Sequence, residues 1–469
     1  MRELIRRRWL FFLMVCGVGL AMRLLFIHFP RAWDDDADVY AELGRNLLRH
    51  GIYGFADDDV ISPSLIRLPG YPLLLGFAQI LFHTYWVKAV LLLQVVADLG
   101  GCFLLAAFTR RHVGERAALI AFALGALCPF TAAYAATVLT ESLSIFAVML
   151  AVYAFGLFFS PKDGPARDGM SAQSTRGLLL LSAAAALAML LRPDGALVLL
   201  SAGAGLLVYL RKDRLRTVML FGLLSVLPLV PWAARNWHTF HVVQQLAPRH
   251  VNDPGEPVNL GFYRWMRTWS VDLSNTGQVF WQVGTNPISP ADVPARAYDS
   301  AAQRERTLEL LAEYNLTNSL NPELDAKFAA LAAERIRNHP LHYYVVMPLW
   351  RVADMWLRPR TEALDMDVFW WNFNDHPAES ILAIELGLVN FVYVAGALLA
   401  FLQRRVPFAI FCGGYLLLRC ALLGTMENSE PRYTLEGFPI VIVCAAVTYA
   451  AWFAGRSGAR SGPAPRAGS

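Results

Sequence analysis

Ten apolar runs, separated by polar connections, are spread along the chain. Most of them approach the roughly 20 residues that a helix needs to cross the hydrocarbon core of a bilayer. A helix satisfies its own backbone groups, so such runs predict a bundle of spanning helices. The predicted spans are 9–29, 87–108, 116–136, 139–159, 177–192, 194–210, 217–233, 380–402, 407–424 and 434–454. We therefore predict an all-α polytopic membrane protein with about ten spans.

The lysines and arginines of the short loops decide how one ambiguous run is interpreted. Run 69–82 is shorter than the others and is interrupted at its start by Pro69 and Pro72, which favours an interfacial or re-entrant segment. If it does not cross, all the basic loops, including the one with Lys162 and Arg167, lie on one side of the membrane. Loops rich in basic residues stay cytoplasmic. Both termini are then expected in the cytoplasm.

The longest polar segment, 234–379, exceeds the length of a simple connection between spans. Its stretches 301–315 and 326–340 have the periodicity of amphipathic helices, which predicts a small extracytoplasmic domain of helical and irregular structure. The boundaries that we predict are 1–233 for an N-terminal transmembrane module with its first external loop at 30–86, 234–379 for the extracytoplasmic domain, 380–454 for the C-terminal transmembrane helices and 455–469 for a disordered cytoplasmic tail.

Composition agrees with a membrane protein. Hydrophobic residues make up 56% of the 469 residues and charged residues only 17%, with a net charge of +4, so we expect the lipid bilayer as a partner and no nucleic acid. All six cysteines lie inside apolar runs, where they act as small core residues. Since the sequence has no CxxC pair and no His/Cys cluster with metal-ligand spacing, the external domain is expected to fold without disulfides.

A cluster of aspartates follows the first span, where the chain leaves the membrane. Carboxylates at the edge of the hydrocarbon are costly, so a cluster there points to a function. If the stretch after Asp36 is helical, Asp36 and Tyr40 share one face. The alternative is a solvated acidic loop without chemistry. The cluster consists of Asp34, Asp35, Asp36 and Asp38.

The same helix would carry an apolar stripe on one side. The stripe is formed by Leu43, Leu47 and Leu48. Its pattern predicts that the helix lies on the membrane surface.

The predicted topology brings further charged side chains to this outer face. Glu141 begins a helix after Thr140, where it either takes part in the chemistry or stabilises the helix N-terminus. Arginine suits phosphate because its guanidinium stays charged and bonds in a bidentate way. The alternative for each arginine is to extend towards lipid headgroups, and for the one beside Trp232 and Trp237 it is interfacial anchoring. The candidate phosphate clamps are Arg67, Arg192, Arg235 and Arg432.

Three charged residues lie inside predicted spans: Arg23, Asp98 and Glu385. Charges within spans usually face the interior of the bundle and find polar partners there. We expect structural contacts from these three residues and no part in catalysis.

Five short elements follow one another in the chain. An acidic residue lies four positions before a tyrosine, and the other elements are RLPGYPLLL at 67–75, LTES at 139–142, LLRPDG at 190–195 with PWAARN at 231–236, and PRYTLEGFP at 431–439. Their order resembles the GT-C superfamily of polytopic glycosyltransferases. The likeness is greatest to the bacterial branch with enzymes similar to protein mannosyltransferases and lipid A aminoarabinose transferases.

This resemblance implies a GT-C-like helical bundle with interfacial helices in the first external loop and a catalytic N-terminal module. It implies that a sugar moves, with inversion, from a polyprenyl-phosphate donor to a hydroxyl acceptor on a glycolipid, polysaccharide or protein. The expected location is the bacterial inner membrane, with the site facing the periplasm. Sugar and acceptor stay open. The external domain, which varies among such proteins, is expected to select the acceptor.

Site residues follow from the same resemblance. Asp36, by its place before Tyr40, matches the general base; Asp38 is the second candidate, and Asp34 and Asp35 stay open. A carboxylate at the membrane edge can have a raised pKa, which suits a base. Glu141 is expected to orient the acceptor, or to bind a divalent cation, Mg²⁺ or Mn²⁺, together with Asp36. The predicted substrate-binding residues are Tyr40, Tyr71 and the four arginines named above.

Two other functions fit a polytopic chain. A transporter or flippase for a lipid-linked or anionic solute would place polar residues at the midplane and broken helices in both halves, whereas here the polar residues gather at one face. A non-catalytic membrane scaffold with a docking domain is the weaker alternative.

Overall fold

Helices lie on all ten predicted apolar segments in the computed structural model of the protein. The structure describes residues 1–29, 35–58, 60–159, 172–364 and 366–459. The predicted loop with Lys162 and Arg167, Asp34 of the acidic cluster and the tail beyond residue 459 lie outside these ranges. With 75% helix and 2% strand, the predicted fold class is confirmed.

The number of membrane crossings stays a prediction. Within the described ranges, seven helices can cross a membrane by length and composition, or eight if the bent pair Glu115–Ala126 and Pro129–Ala135 is one span. Two further apolar helices, Pro193–Tyr209 and Ala409–Gly424, are shorter. The seven helices, the bent pair and the two shorter helices together lie on the ten predicted spans. The protein is an integral membrane protein.

Two compact units divide the chain. Unit 1 contains Met1–Ala247, Phe391–Leu416 and Glu436–Ser469; unit 2 contains Pro248–Asn390 and Leu417–Leu435. The boundaries predicted for the external domain, 234–379, are thus similar to those of Pro248–Asn390, the main part of unit 2. The C-terminal helices, which the sequence analysis kept together, are divided between the two units.

Unit 1 begins with an alternation of long and short helices. Its first half contains α1 (Arg2–Arg7), α2 (Trp9–His28), α3 (Asp35–His50), β1 (Gly54–Asp57), β2 (Val60–Pro63), α4 (Gly70–Phe82), α5 (Trp86–His112), α6 (Glu115–Ala126) and α7 (Pro129–Ala135). The following elements are α8 (Glu141–Phe158), α9 (Ala172–Leu191), the 3₁₀ turn Pro193–Gly195, α10 (Ala196–Tyr209), α11 (Arg214–Val226) and α12 (Val230–Phe240).

Helices α3 and α4 pack closely because glycines line their contact. A Cβ atom on Gly44 would lie 1.9 Å from the carbonyl oxygen of Pro72, and one on Gly76 would lie 2.6 Å from that of Gly44. Such distances are far below van der Waals contact, so only glycine permits this approach. The tight pairing fixes the acidic start of α3 relative to the turn that precedes α4.

A short hairpin connects α3 to that turn. Strands β1 and β2 are antiparallel, with Gly54 opposite Pro63 and Asp57 opposite Val60. Helix α3 holds the hairpin, because Asn46 Nδ2 donates to the carbonyl of Gly54 at 2.9 Å. In addition, Glu42 Oε1 accepts from the backbone N–H of Ala56 at 2.8 Å.

The apolar stripe of α3 does not lie on the membrane surface as predicted. Leu43 is buried and Leu47 packs beside it, in a cluster with Tyr53, Leu65 and Trp232. Residues that come later in the chain cover the stripe, and the helical pattern alone cannot distinguish such a covered face from a lipid-facing one.

Two of the three charged residues within spans are partners. Arg23 of α2 donates from Nε to Asp98 Oδ2 of α5 at 2.8 Å, and both side chains are buried. Its Nη1 also donates to the carbonyls of Gly19 at 2.8 Å and Ala126 at 2.7 Å. The expected structural contact is therefore present for this pair. Glu385 differs, because its side chain is exposed on α18 (Pro377–Leu402) instead of facing inward.

Unit 2 has its own core of aromatic and aliphatic side chains. Phe262, Trp265 and Trp269 pack with Phe328 in this core. Asp325 accepts from the backbone N–H groups of Gly261 at 2.9 Å and Phe262 at 2.8 Å, satisfying donors that the first turn of a helix leaves open. Its elements are α13 (Leu260–Arg267), α14 (Leu273–Asn275) with the π turn Thr276–Phe280, α15 (Ala301–Asn315), α16 (Pro322–Asn338), the π turn His342–Val346 and α17 (Met347–Leu357).

The two amphipathic patterns of the polar segment are confirmed as helices. The first coincides with α15 and the second lies largely within α16. The chain ends with α18, α19 (Ala409–Gly424), the 3₁₀ turn Pro431–Gly437 and α20 (Phe438–Ala459). All six cysteines are free, as expected.

Candidate active site

The aspartate predicted as the base is directly paired with a predicted phosphate clamp. Arg67 Nη2 lies 2.5 Å from Asp36 Oδ1, and both side chains are only partly exposed, at 19% and 27%. Asp36 lies in the first turn of α3, and Arg67 lies just before the turn that starts α4. A guanidinium at this distance stabilises the charged form of the carboxylate.

Tyr40 lies one turn after Asp36 and connects several predicted residues. The Arg67 guanidinium carbon is 5.6 Å from the centre of the Tyr40 ring, and the Tyr71 ring meets Tyr40 edge-on at 5.4 Å. Burial raises the pKa of Tyr40, and the charges of Arg67, Asp36, Glu141 and Arg192 also act on this phenol. Both ion pairs of the site are therefore within electrostatic reach of one tyrosine.

Tyr71 is held in place by a hydrogen bond to a glutamine of α5. Its hydroxyl donates to Gln94 Oε1 at 2.8 Å. Gln94 Nε2 in turn donates to the carbonyls of Thr137 at 2.8 Å and Ala135 at 3.2 Å, so this buried amide is well satisfied. The network joins α4 to the turn that leads into α8.

Arg192 forms the centre of a second group of charges. Its Nη1 lies 2.9 Å from Glu141 Oε1, and its Nε lies 3.3 Å from both Asp194 Oδ1 and Glu436 Oε1. Glu141 and Glu436 are each only 3% exposed. Buried carboxylates need such a partner, because an uncompensated charge in a low dielectric is expensive.

Thr140 takes a different role from the helix cap that its position suggested. It is the N-cap residue of α8, yet its hydroxyl makes no capping hydrogen bond. Instead Arg192 Nη1 donates to Thr140 Oγ1 at 3.2 Å. The LTES element is thus held by the arginine of the LLRPDG element.

Arg235 contacts protein groups around the hairpin. Its Nη2 donates to the carbonyl of Tyr53 at 2.7 Å, and its Nη1 donates to the carbonyl of Ser64 at 2.8 Å. The guanidinium also lies 5.3 Å from the Trp232 ring and 5.2 Å from the Phe240 ring. These contacts tie the guanidinium to the protein, and both the phosphate clamp and the interfacial anchoring stay predictions. Trp237, the second tryptophan of that alternative, is 56% exposed.

Two further predicted residues are Asp38 and Arg432. Asp38 and its neighbour Asp35 are exposed on α3. Arg432 belongs to unit 2, where its Nε lies 2.5 Å from Glu430 Oε2 and its guanidinium lies 5.5 Å from the centre of the Tyr433 ring.

Comparison with known families gives a partial sequence match. Residues 67–234, a little over a third of the chain, match the family model described as dolichyl-phosphate-mannose-protein mannosyltransferase. The matched region contains Arg67, Tyr71, Glu141 and Arg192 of the site. No curated protein matches the sequence closely enough to count as a relative.

Comparison with solved structures extends the similarity over the whole chain. The archaeal oligosaccharyltransferase AglB from Archaeoglobus fulgidus, in complex with an inhibitory peptide and a dolichol-phosphate, aligns with a TM-score of 0.52 at 14% identity. The alignment covers 99% of this chain and 53% of that one. The chain has the GT-C fold. The apo form of the same enzyme gives a TM-score of 0.53 at 14% identity over 96% of this chain and 51% of its own.

The chain therefore spans about half the length of AglB. ArnT from Cupriavidus metallidurans bound to undecaprenyl phosphate also aligns, at 14% identity over 97% of this chain and 81% of its own. Its TM-score of 0.38 is too low to support an argument about structure. At these identities the solved structures establish the fold alone.

The predicted metal ligands lie in no cluster of metal-binding side chains within the part of the chain that the structure describes. Across the described ranges, no group of three or more His, Cys, Asp or Glu side chains could hold a metal ion. Asp36 and Glu141, the predicted ligands, instead have Arg67 and Arg192 as partners. Carboxylates do suit Mg²⁺ and Mn²⁺, so the cation stays a prediction.

The sequence analysis quoted the motifs of Asp194 and Glu436 but did not select these residues. Both are acids beside the same arginine, in elements about 240 positions apart in the chain. For Glu436, the indication available in the sequence was its place in PRYTLEGFP, just before an apolar run. Gln94, the partner of Tyr71, was not among the predicted site residues.

The arrangement offers one carboxylate at a partly open position and one arginine beside it. Asp36 can accept a proton, and Arg67 can contact an anion, because both are partly exposed. The Arg192 group is more buried and holds several acids in fixed positions. Chemically, the site suits proton abstraction next to a bound phosphate.

Proposed function

We propose that this chain is a membrane glycosyltransferase that uses a polyprenyl-phosphate sugar. The sugar passes to a hydroxyl acceptor at the extracytoplasmic face, taken here as the periplasmic side of a bacterial inner membrane, with both termini cytoplasmic. The observation that carries the proposal is the Asp36–Arg67 pair beside Tyr40, within a GT-C fold. The dolichol-phosphate present with AglB supports a lipid phosphate as the carrier.

Asp36 acts as the general base in the proposed reaction. Its carboxylate takes the proton of the acceptor hydroxyl while that oxygen attacks the anomeric carbon of the sugar. The bond between this carbon and the phosphate oxygen breaks, and its electron pair leaves with the polyprenyl phosphate. A single in-line displacement of this kind inverts the anomeric centre.

Arg67 stabilises the leaving phosphate. It contacts Asp36 at 2.5 Å, and a donor phosphate offers it a second anionic partner with a geometry that guanidinium matches. When the phosphate engages Arg67, Asp36 loses part of its electrostatic stabilisation and becomes a better base. Donor binding and base activation are thereby coupled through one side chain.

The Arg192 group supports the acceptor side of the site. Glu141 and Asp194 share one arginine, so their carboxylate oxygens keep fixed directions for hydrogen bonds to hydroxyl groups. This arrangement suits a polyhydroxylated acceptor, because sugar hydroxyls donate readily to carboxylates. If Mg²⁺ or Mn²⁺ binds, Asp36 and Glu141 are the residues expected to contact it.

The test is a transfer assay with purified full-length protein. A panel of undecaprenyl-phosphate hexoses and pentoses serves as donors, and lipid extract from a strain without the gene serves as acceptor. Release of undecaprenyl phosphate, dependent on the acceptor extract, is the expected result. Asp36→Asn is expected to lower turnover at least a hundredfold with unchanged thermal stability, because removal of a general base costs about 10²–10⁴ in rate.

Two variants complete the test. Asp57→Asn, at the exposed end of the hairpin, is the matched control and should keep normal turnover. Asp38→Asn decides between the two candidate aspartates. Full activity of Asp36→Asn would move the base elsewhere. Donor passage across proteoliposomes without release of undecaprenyl phosphate would favour the flippase and refute the enzyme.

A further inference from the structure

Arg235 of α12 ties together the two ends of the hairpin. Its two terminal nitrogens donate to the carbonyls of Tyr53 and Ser64, at 2.7 and 2.8 Å. The backbone N–H of Ser64 also donates to the Tyr53 carbonyl at 3.0 Å. Residues 53 and 64 flank the strands, so this arginine closes the neck of the loop that leads from α3 to Arg67.

Tyr53 extends this tie to the active-site arginine. Its hydroxyl donates to the carbonyl of Arg67 at 3.0 Å, and it also lies 3.3 Å from the carbonyl of Leu68. Burial raises the pKa of Tyr53 well above its usual value, so the phenol keeps its proton and remains a donor. The ring is held edge-on against Trp232 at 5.0 Å.

These contacts form one continuous path from α12 to the Asp36–Arg67 pair. Arg235 holds the Tyr53 backbone, Tyr53 holds the Arg67 backbone, and the Arg67 side chain holds Asp36. The Arg235 guanidinium is also stacked among rings, with Tyr53 at 5.5 Å from its central carbon. A group with these contacts is suited to fixing geometry.

We propose that Arg235 and Tyr53 are positioning residues that hold Arg67 at Asp36, and that neither contacts the substrate. This inference rests on the proposed function, in which the Asp36–Arg67 pair performs the chemistry. It replaces the expectation that Arg235 clamps the donor phosphate. Loss of either residue should let the backbone at 64–68 shift, and Arg67 would then spend less time beside Asp36.

The pH profile distinguishes this role from a merely structural one. Arg67 favours the charged form of Asp36, so a displaced Arg67 lets Asp36 take up its proton at higher pH. The acidic limb of the kcat/KM profile then moves upward. A variant that only unfolds part of the protein lowers the amplitude and leaves the limb in place. Asp35 and Asp38 on the same helix, and Glu141 and Arg192, which act with Asp36 and Arg67 on Tyr40, are unchanged in every variant below.

Tyr53→Phe is the most informative variant, because it removes only the hydroxyl and changes no charge. With the donor that supports turnover, it is expected to lower kcat/KM about tenfold and to raise the acidic limb by about one pH unit, towards the position seen in Arg67→Gln. Arg235→Ala should act in the same direction. Arg235→Lys keeps the charge, can hold one carbonyl and should restore part of the loss.

Amide hydrogen exchange tests the tie without reference to activity. Exchange in the segment 64–68 should rise in Tyr53→Phe and Arg235→Ala. Tyr85→Phe is the matched control, since Tyr85 is 68% exposed and lies between α4 and α5. This variant should change neither the exchange nor the pH profile.

Specific outcomes would overturn the proposal. Unchanged exchange at 64–68 in Tyr53→Phe would refute the tie. Faster exchange with an unmoved acidic limb would show a structural role only, and a rise in donor KM alone in Arg235→Lys would restore Arg235 as a phosphate ligand. If Asp36→Asn were fully active, the proposed function would fail, whereas the exchange result would still decide whether Tyr53 and Arg235 hold Arg67.

Discussion

Asp36 Oδ1 and Arg67 Nη2 lie 2.5 Å apart although 31 positions separate them in the chain. The close packing of α3 on α4 and the hairpin between them produce this contact. Two residues predicted for separate roles, a base and a phosphate clamp, are therefore partners of each other. In the proposed reaction the arginine changes partner when the donor phosphate binds.

Substitution of Arg67 should affect donor binding more than acceptor binding. Arg67→Ala removes the guanidinium that is expected to contact phosphate, and loss of one charge-assisted contact costs about 1.5–3 kcal/mol, or roughly 10- to 150-fold in kcat/KM for the donor. Arg67→Lys keeps the charge but lacks the planar guanidinium, so its kcat/KM for the donor should lie between those of the original protein and Arg67→Ala. The measurement is steady-state kinetics with donor and acceptor varied separately. An equal effect on both substrates would contradict the clamp.

Removal of the charge on Glu141 should destabilise the protein as well as inactivate it. Glu141→Gln leaves Arg192 with two of its acidic partners, Asp194 and Glu436, so the cost should stay below the 3–5 kcal/mol typical of a broken buried pair, at about 2 kcal/mol. Glu115→Gln is the control, because Glu115 is 40% exposed and pairs with Arg7 on the surface, where such pairs contribute at most about 1 kcal/mol. Thermal unfolding in detergent measures both. Equal stability of the two variants would argue against a compact charge group.

A side chain at Gly44 should separate α3 from α4. Gly44→Ala places a Cβ 1.9 Å from the Pro72 carbonyl oxygen, and the backbone must move, at a cost of about 1–3 kcal/mol. Gly100→Ala is the matched control, since a Cβ on Gly100 of α5 meets nothing within 4 Å. Activity should fall in the first variant only, because the shift displaces Asp36 from Arg67. Normal kinetics of Gly44→Ala would show that the α3–α4 spacing is unimportant.

Unit 2 should become more stable as the pH falls from neutral to about 4. Burial raises the pKa of Asp354 from 3.8 to about 6, so the folded state binds a proton that the unfolded state has released. The corresponding stability is fully present below the unfolded pKa near 4 and is lost as the pH rises through about 6. It amounts to about 2–3 kcal/mol.

Asp354→Asn should remove this dependence. The difference in unfolding midpoint between the variant and the original protein, measured at pH 7 and pH 4.5, isolates the contribution of this one group. The variant should gain stability at pH 7 relative to the original protein and lose that advantage at pH 4.5. A constant difference at both pH values would contradict the shifted pKa.

Much of the fold followed from hydrophobic pattern, because helices within a membrane must satisfy their backbone groups locally. Position and sign of charge also selected Asp36, Arg67, Glu141 and Arg192 as predicted site residues, and all four act electrostatically on Tyr40. Pattern could not show which acids share Arg192, since Glu436 joins from the far end of the chain. It also failed for Leu43, whose apolar face is covered by Trp232 of α12 and not by lipid.

Exposure of Glu385 has the same origin as the error at Leu43. Both predictions used the composition of one helix to choose its buried face, whereas the neighbours of that helix make the choice. The hydrogen bonds of Arg235 and Tyr53 could not be predicted from the sequence for a related reason. They run through backbone carbonyls, which no side-chain pattern records.

The closed neck of the hairpin has a practical consequence. Residues 53 and 64 are joined by Arg235 and by a backbone hydrogen bond. A change at the tip of the hairpin should therefore not displace Arg67 from Asp36. A fluorescent dye or an epitope attached near Asp57 should therefore leave the contact between Asp36 and Arg67 unchanged. For the same reason the loop can change in length or in sequence while Asp36 and Arg67 stay in contact.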